Sequence, residues 1–411
     1  MAEAAVQPAP ARPRAATVKR WARGELVPFL EILALCGLGV AQPLLDVTGR
    51  SPDFFLFYGA GRGDILLMVA IVTLVPPVAL WGIGAPSGLA GAKVRRAVHI
   101  GTIGLLLGVL AVQVGKHVLP VRGLALAVGA LAVAGAATFA YVRWRVPGQL
   151  LRVASLGPLL FAGLFAFASP VSAVVLPSAA AAGTAGVASS GGHPPLVVLF
   201  LDEFPLVSVL DSNGRIDRAT YPNIAALADS TTWYRNATGV SGWTPYAMPA
   251  MLTGRYPRGD VAPHYSAYPD NLFTLFGGLY DLDVQESITQ LCPPSECDRT
   301  RRQRGGLTTV LSRTAGLMRQ IASPRDEAVS DPEASYEETT HAEATSQAAP
   351  GDPRFRWDSL DDNQPARFTR FLANLTPTPQ PTVHFLHLLM PHTPWVYFPD
   401  GTRYPAPEDF P

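Results

Sequence analysis

Five long apolar stretches fill the first half of this chain, and they constrain its fold more than any other feature. A helix needs about 20 mostly apolar residues to cross the hydrocarbon core of a bilayer. One such stretch is compatible with a buried helix of a soluble protein, but five in succession predict a multi-pass α-helical membrane domain over residues 26–176. The stretches are Leu26–Leu45, Ile65–Ile83, Val98–Val118, Leu124–Val142 and Val153–Leu176.

The basic residues between these stretches predict how the domain is oriented. They cluster before the first stretch, between the second and third, and between the fourth and fifth, at Arg12, Arg14, Lys19, Arg20, Arg23, Lys93, Arg95, Arg96, Arg143, Arg145 and Arg152. Cytoplasmic loops carry the excess of Lys and Arg. We therefore expect a plasma-membrane protein with residues 1–25 in the cytoplasm and the chain after Leu176 on the outside. Glu31 and His99 lie near the ends of their stretches, so we expect both at the membrane interface.

The charge balance argues against a nucleic-acid partner, and the position of two cysteines favours a disulfide. The 411 residues contain 32 basic and 32 acidic side chains, so there is no overall basic field that would indicate nucleic-acid binding. Cys292 and Cys297 form the sequence "CPPSEC" in the exported half, where oxidation is possible. Because no second pair of metal ligands accompanies them, a disulfide is favoured over a zinc site.

The exported half, residues 196–411, follows a small-residue segment at 177–195 that is typical of a flexible linker. "PLVVLFLDEFP" predicts a buried central strand that ends at Asp202 and Glu203, and "YPNIAALADS" predicts a short helix. We expect a strand within "TTWYRNATGV", a helix at "FTRFLANL" and a strand at "TVHFLHLLM". This alternation predicts an α/β sandwich with a largely parallel sheet. The acidic segment 323–352 has no apolar period and is expected to be a disordered insertion.

The sequence "TPYAMPAMLTG" contains the residue with the clearest chemical potential. Thr244 is a good N-cap, Pro245 suits the first helical position and Gly254 suits the helix end, so the stretch predicts a short helix. Capping alone would explain this threonine. Its hydroxyl is, however, a nucleophile when a base or a metal ion activates it. Asp202 and Glu203 are the oxygen ligands that a divalent cation prefers, and His392 could contact the transferred group, so together they indicate metal-assisted phosphoryl or sulfuryl transfer.

These segments, together with "FLHLLMPHTPW", resemble the sulfatase branch of the alkaline phosphatase superfamily over about residues 195–411. The resemblance implies an alkaline-phosphatase-like domain in which Asp202, Glu203 and Thr244 bind a divalent metal ion (Zn, Mn, Mg or Ca). It also implies that Thr244 is the nucleophile and that His392 binds the substrate. Sulfatases convert a Cys or Ser at the position of Thr244 to formylglycine, and a threonine cannot form that aldehyde. A threonine behind five membrane helices is instead similar to phosphoethanolamine and phosphoglycerol transferases.

We therefore expect a membrane-anchored enzyme that transfers a phosphoryl head group from a membrane lipid to an acceptor such as an envelope glycan. Two alternatives stay open: a hydrolase of sulfate or phosphate esters, and a non-catalytic membrane protein that binds envelope polymers. The family has a further Asp-His metal pair, often within S-D-H-G, and no such motif precedes Pro411. On that basis we expect a domain that is incomplete at its C-terminus and inactive as this chain alone. Two interpretations stay open for His387, a residue that faces the site and a hydrogen-bonded core histidine, and the core position is favoured.

Overall fold

The computed structural model divides the chain into two compact units, and each is described by itself. The first contains Met1–Val47, Leu66–Phe165 and Leu311–Val329, and the second contains the rest, including Thr48–Ile65. Most of the predicted linker (177–195) and of the predicted insertion (323–352) lies outside the described residues. The described residues are 14–177, 193–258, 261–297, 306–324, 364–392, 397–398 and 400–402.

Five helices are long and apolar enough to cross a membrane, which confirms the predicted multi-pass helical domain at this level. They are Glu25–Arg50, Arg62–Ala90, Ala92–Val118, Gly123–Arg143 and Val146–Ala168. The regular elements within and between them are α1 (Arg14–Cys36), a π-helical turn (Gly37–Ala41), α2 (Gln42–Arg50), α3 (Pro52–Phe57), α4 (Arg62–Gly84), a 3-10 turn (Ala85–Ala90), α5 (Ala92–Val118), α6 (Gly123–Arg143), α7 (Val146–Ala154), α8 (Gly157–Ala168) and α9 (Ser172–Val175).

Prolines account for where the fifth membrane helix differs from its predicted bounds. It begins seven residues earlier than predicted, at Val146, because Pro147 is tolerated in a first helical turn, where no intrahelical partner is lost. It ends at Ala168, because Pro170 biases the residue before it away from helical geometry. Pro76 and Pro77, in contrast, lie inside α4, and the helix continues through them.

The second unit contains a small parallel sheet of three strands: β1 (Leu196–Leu201), β2 (Asp281–Gln285) and β3 (Thr382–Leu388). The strand order is β1-β3-β2, so β3 is the central strand of the described sheet and is buried along its whole length. The prediction of β1 as the central strand is wrong. Its residues alternate between partly buried and exposed, because the described residues cover only one of its two apolar faces.

The helices of this unit confirm some predictions and correct one. The predicted helices at 221–230 and 368–375 correspond to helices that begin at Pro222 and Gln364. The predicted strand within 231–240 is wrong, since that segment has no regular structure and exposes Tyr234. The remaining elements of this unit are a 3-10 turn (Leu206–Val209), α10 (Pro222–Ser230), α11 (Thr244–Thr253) and α12 (Leu272–Phe276). They are followed along the chain by α13 (Gly306–Ala322), most of which belongs to the first unit, and by α14 (Gln364–Asn374) of the second unit.

An apolar core holds α11 and α12 against the sheet. Met248 and Leu252 of α11 belong to the same buried cluster as Phe273 of α12 and Phe385 of β3. The rings of Phe273 and Phe385 meet edge to face, with centroids 4.9 Å apart, an arrangement that aromatic pairs favour. Because α11 is anchored through this face, the position of its first residue, Thr244, is fixed by the core.

We predict that Asn271→Ala destabilises this core by about 2–3 kcal/mol. The buried Asn271 side chain caps α12 by accepting from the amides of Phe273 and Thr274, and it donates to the carbonyls of Tyr268 and Leu291. Alanine would leave all four groups without this partner. Pulse proteolysis of the full chain in detergent measures the loss. The exposed Asn374→Ala is the matched control, with an expected change within about 0.5 kcal/mol; equal effects of the two variants would contradict the assignment.

Candidate functional site

The candidate site lies at the carboxyl edge of the parallel sheet, where β1 and β3 end. Asp202 follows the last residue of β1, and its amide donates to the carbonyl of Leu388 at 3.0 Å. This bond extends the parallel pairing by one residue and places Asp202 beside the end of β3. Ligand sites of open α/β sheets collect at this edge, so the local topology supports the predicted position of the site.

The hydroxyl of Thr244 faces Asp202. Its Oγ1 lies 3.4 Å from both Oδ1 and Oδ2 of that carboxylate, and Thr244 is only 6% exposed. The prediction that Thr244 is the N-cap is wrong, because the extended residue before the helix is Trp243 and Thr244 is already its first helical residue. The predicted end of the helix is confirmed, since Gly254 has φ +67° and its amide bonds to the carbonyl of Ala250.

His387 joins this pair from the central strand. Its Nε2 lies 3.6 Å from Oδ2 of Asp202, and its side chain is buried. Its Nδ1 is also buried and has no hydrogen-bond partner among the described residues. The sequence favoured a core position for this histidine. Its closeness to Asp202 depends on the register of the strands, in which His387 lies opposite Phe200. Its neighbour His384 instead pairs with Asp283 at 3.0 Å.

Two opposing effects set the pKa of Asp202. Burial alone would raise the pKa, but the interaction with His387, the positive charge of His392 and the Thr244 hydrogen bond together lower it below its ordinary value. The carboxylate is therefore ionised at neutral pH, and it accepts the hydrogen bond that the Thr244 hydroxyl donates.

Glu203 and His392 form a second pair at the same edge. Nε2 of His392 lies 3.4 Å from Oε1 of Glu203. Glu203 has φ +53°, a left-handed conformation that costs a non-glycine residue on the order of 1–3 kcal/mol and is concentrated at functional sites. The structure thus places the four predicted site residues in two pairs, Thr244 with Asp202 and Glu203 with His392. The influence of His392 on the pKa of Asp202 links the two pairs electrostatically.

The donor chemistry of these pairs suits a divalent cation, although the number of ligands is small. Carboxylate and hydroxyl oxygens suit Mg²⁺, Mn²⁺ and Ca²⁺, and imidazole nitrogen suits Zn²⁺. Within the part of the chain that the structure describes, no three His, Cys, Asp or Glu side chains are grouped closely enough to hold a metal ion. The assignment of Asp202, Glu203 and Thr244 as metal ligands stays a prediction. Away from this edge, Cys292 and Cys297 form a disulfide.

Comparisons of this chain with protein-family models, curated proteins and solved structures returned no match.

We predict that Asp202 contributes pH-dependent stability. A carboxyl group whose pKa is lowered by folding stabilises the folded state above its unfolded pKa of about 3.9, and the contribution is lost as the pH falls through the lower folded pKa. Asp202→Asn should therefore be less stable than the wild type at pH 6, and the difference should shrink as the pH falls below about 4. Urea unfolding of both full-length proteins at each pH measures it. A difference that stays constant with pH would contradict the assigned pKa direction.

Proposed function

We propose that this chain is a membrane-anchored enzyme of the sulfatase-like branch of the alkaline phosphatase superfamily, in which Thr244 is the nucleophile of phosphoryl transfer. The observation that carries the proposal is that the Thr244 hydroxyl bonds to the Asp202 carboxylate rather than to its own helix. Three parallel strands with acidic and imidazole side chains at their carboxyl ends support an alkaline-phosphatase-like domain. A phosphodiester lipid is the proposed donor, and a hydroxyl group of the cell envelope is the proposed acceptor.

The proposed reaction has two displacements at phosphorus. Thr244 Oγ1 attacks the lipid phosphorus, the bond between phosphorus and the diacylglycerol oxygen breaks, and the head group stays bound to Thr244 as a phosphodiester. The hydroxyl proton moves towards Asp202. The imidazole of His387, which lies beside that carboxylate, accepts the proton. The departing alkoxide takes a proton from His392. An acceptor hydroxyl then attacks the phosphorus and gives its proton to His392, which replaces the proton lost to the alkoxide, and Thr244 Oγ1 leaves and regains its proton from His387 through Asp202.

The burial and contacts of each residue suit it to a different part of the proposed reaction. Thr244 is buried and fixed by the core beneath α11, which holds the nucleophile in one place. Asp202 keeps its negative charge at neutral pH and orients the hydroxyl. A divalent ion held by Asp202, Glu203 and Thr244 would lower the pKa of the hydroxyl and offset the charge that develops on the phosphoryl oxygens. His392, whose side chain is 12% exposed, is the proposed contact of the transferred group.

We predict a covalent adduct on Thr244. The full-length protein, including any sequence downstream of Pro411, should acquire the mass of a lipid head group on the peptide that contains Thr244. The test uses membranes containing phosphatidylethanolamine and phosphatidylglycerol with added Mn²⁺ or Zn²⁺. Tandem mass spectrometry measures it. Thr244→Ala should abolish the adduct, and Thr244→Ser should retain it because serine keeps the hydroxyl.

The matched control is Thr253→Ala, since Thr253 lies in the same helix and its hydroxyl bonds to the carbonyl of Pro249. This variant should keep the adduct. An adduct in Thr244→Ala would contradict the proposed nucleophile, and so would its absence from the wild type. Release of the head group to water rather than to an added acceptor would identify a hydrolase on the same site.

We also predict the orientation of the chain in the plasma membrane. The positive-inside distribution of Arg and Lys places the N-terminus and the connection around Trp144 in the cytoplasm, and the catalytic unit outside. In intact bacterial cells, a membrane-impermeant maleimide should label Ser212→Cys, which is exposed, and should label Trp144→Cys only after permeabilisation. The reverse pattern would contradict the orientation and would place the candidate site away from an envelope acceptor.

A further inference from the structure

A cavity of about 290 Å³ lies within the membrane-helix unit, between the ends of its first three helices. One part of its wall is charged or polar, with Arg95, Arg96 and His99 of α5 and with Glu25 of α1, which pairs with Arg95. The other part is apolar and includes Ile32 of α1 and Leu80 of α4. An amphiphilic ligand could contact both the mainly basic wall and the apolar wall of this cavity. A fully apolar or a fully polar ligand would contact only one of them favourably.

The start of α5 carries positive charge where a helix ordinarily favours negative charge. Its first five residues include Lys93, Arg95 and Arg96 but no acidic residue. The free amides of a helix start and the helix dipole are already positive there, so nearby cations are unfavourable and anions are favourable. A bound anion would remove this conflict.

The carboxylates at this end are already paired, which leaves positive charge uncompensated. Arg95 donates to the buried Glu25. His99 lies 3.1 Å from Glu31, which also accepts hydrogen bonds from Tyr141 and Arg152. Arg96 lines the cavity, and the described residues give it no carboxylate within ion-pairing distance.

Trp81, a residue in the wall of this cavity, has a buried hydrogen-bond donor without an acceptor. It lines the cavity, and its Nε1 is buried without a hydrogen-bond partner among the described residues. A buried donor that lacks a partner costs about 1–3 kcal/mol. An acceptor oxygen from a ligand would recover this cost. The indole ring is also amphipathic and is typical of the membrane interface, where its polar edge meets head groups.

From these observations we propose that the cavity binds the phosphate head group of an anionic phospholipid. The phosphate oxygens would accept hydrogen bonds from Arg96 and the Trp81 indole, and the acyl chains would leave along Ile32 and Leu80. The predicted orientation places this site in the cytoplasmic leaflet. Zwitterionic lipids are disfavoured because both acids near the cavity are already paired, so none is left for an ammonium group. This site is independent of the proposed reaction, which lies in the other unit.

Native mass spectrometry of the full chain, released from mixed micelles of phosphatidylglycerol and phosphatidylcholine, tests the proposal. We expect retention of one phosphatidylglycerol per chain in preference to phosphatidylcholine. Arg96→Gln and Trp81→Phe should each weaken this retention by about tenfold, as for loss of a hydrogen bond to a charged group. Arg143→Gln is the matched control, since Arg143 lies in the same predicted set of cytoplasmic basic residues but does not line the cavity, and it should retain the lipid.

Three outcomes would overturn the proposal. The first is equal retention of the two lipids. The second is an Arg96→Gln effect no larger than that of Arg143→Gln, which would indicate non-specific surface attraction. The third is displacement of the lipid by glycerol 3-phosphate at a similar concentration, which would identify a site for a soluble phosphate compound. Thermal unfolding of each variant without lipid separates a misfolded variant from one that has lost the site.

Discussion

The parallel pairing of β1 with β3 is the interaction on which the candidate site depends. The bond from the Asp202 amide to the Leu388 carbonyl continues that pairing past the end of β1. It brings the Asp202 carboxylate next to the buried ring of His387, although the two residues are far apart in sequence. The core beneath α11 then directs the Thr244 hydroxyl to the same carboxylate. A slip of one residue in this register would move His387 to the opposite face of the sheet.

A different constraint governs the first half of the chain. Buried charged groups must find partners within the protein, and Glu31 meets that requirement through His99, Tyr141 and Arg152. Glu31 is buried among the helices, and its predicted position near the membrane interface stays a prediction. Sequence shows how far a residue lies along its helix, but not which neighbouring helices its side chain contacts.

The features that could be predicted from the sequence are those fixed by local chemistry. Apolar length identified five helices able to span a membrane, and the Thr-Pro and Gly signals identified the helix from Thr244 to Thr253. The central position of β3 in the described sheet and the closeness of His387 to Asp202 could not be predicted, because both depend on which strands pair and in which register. The direction of the Thr244 hydroxyl was also beyond local reasoning, since a capping threonine and one that bonds to a distant carboxylate have the same sequence.

The Thr244 hydroxyl donates its hydrogen bond to the Asp202 carboxylate and not to a group of its own helix. A double-mutant cycle of Thr244→Val and Asp202→Asn, measured by urea unfolding of the full chain at pH 7, tests it most directly. We predict a coupling energy of about 1 kcal/mol between the two positions, as for residues that share a hydrogen bond. Additive effects, with a coupling within about 0.3 kcal/mol of zero, would contradict the claim.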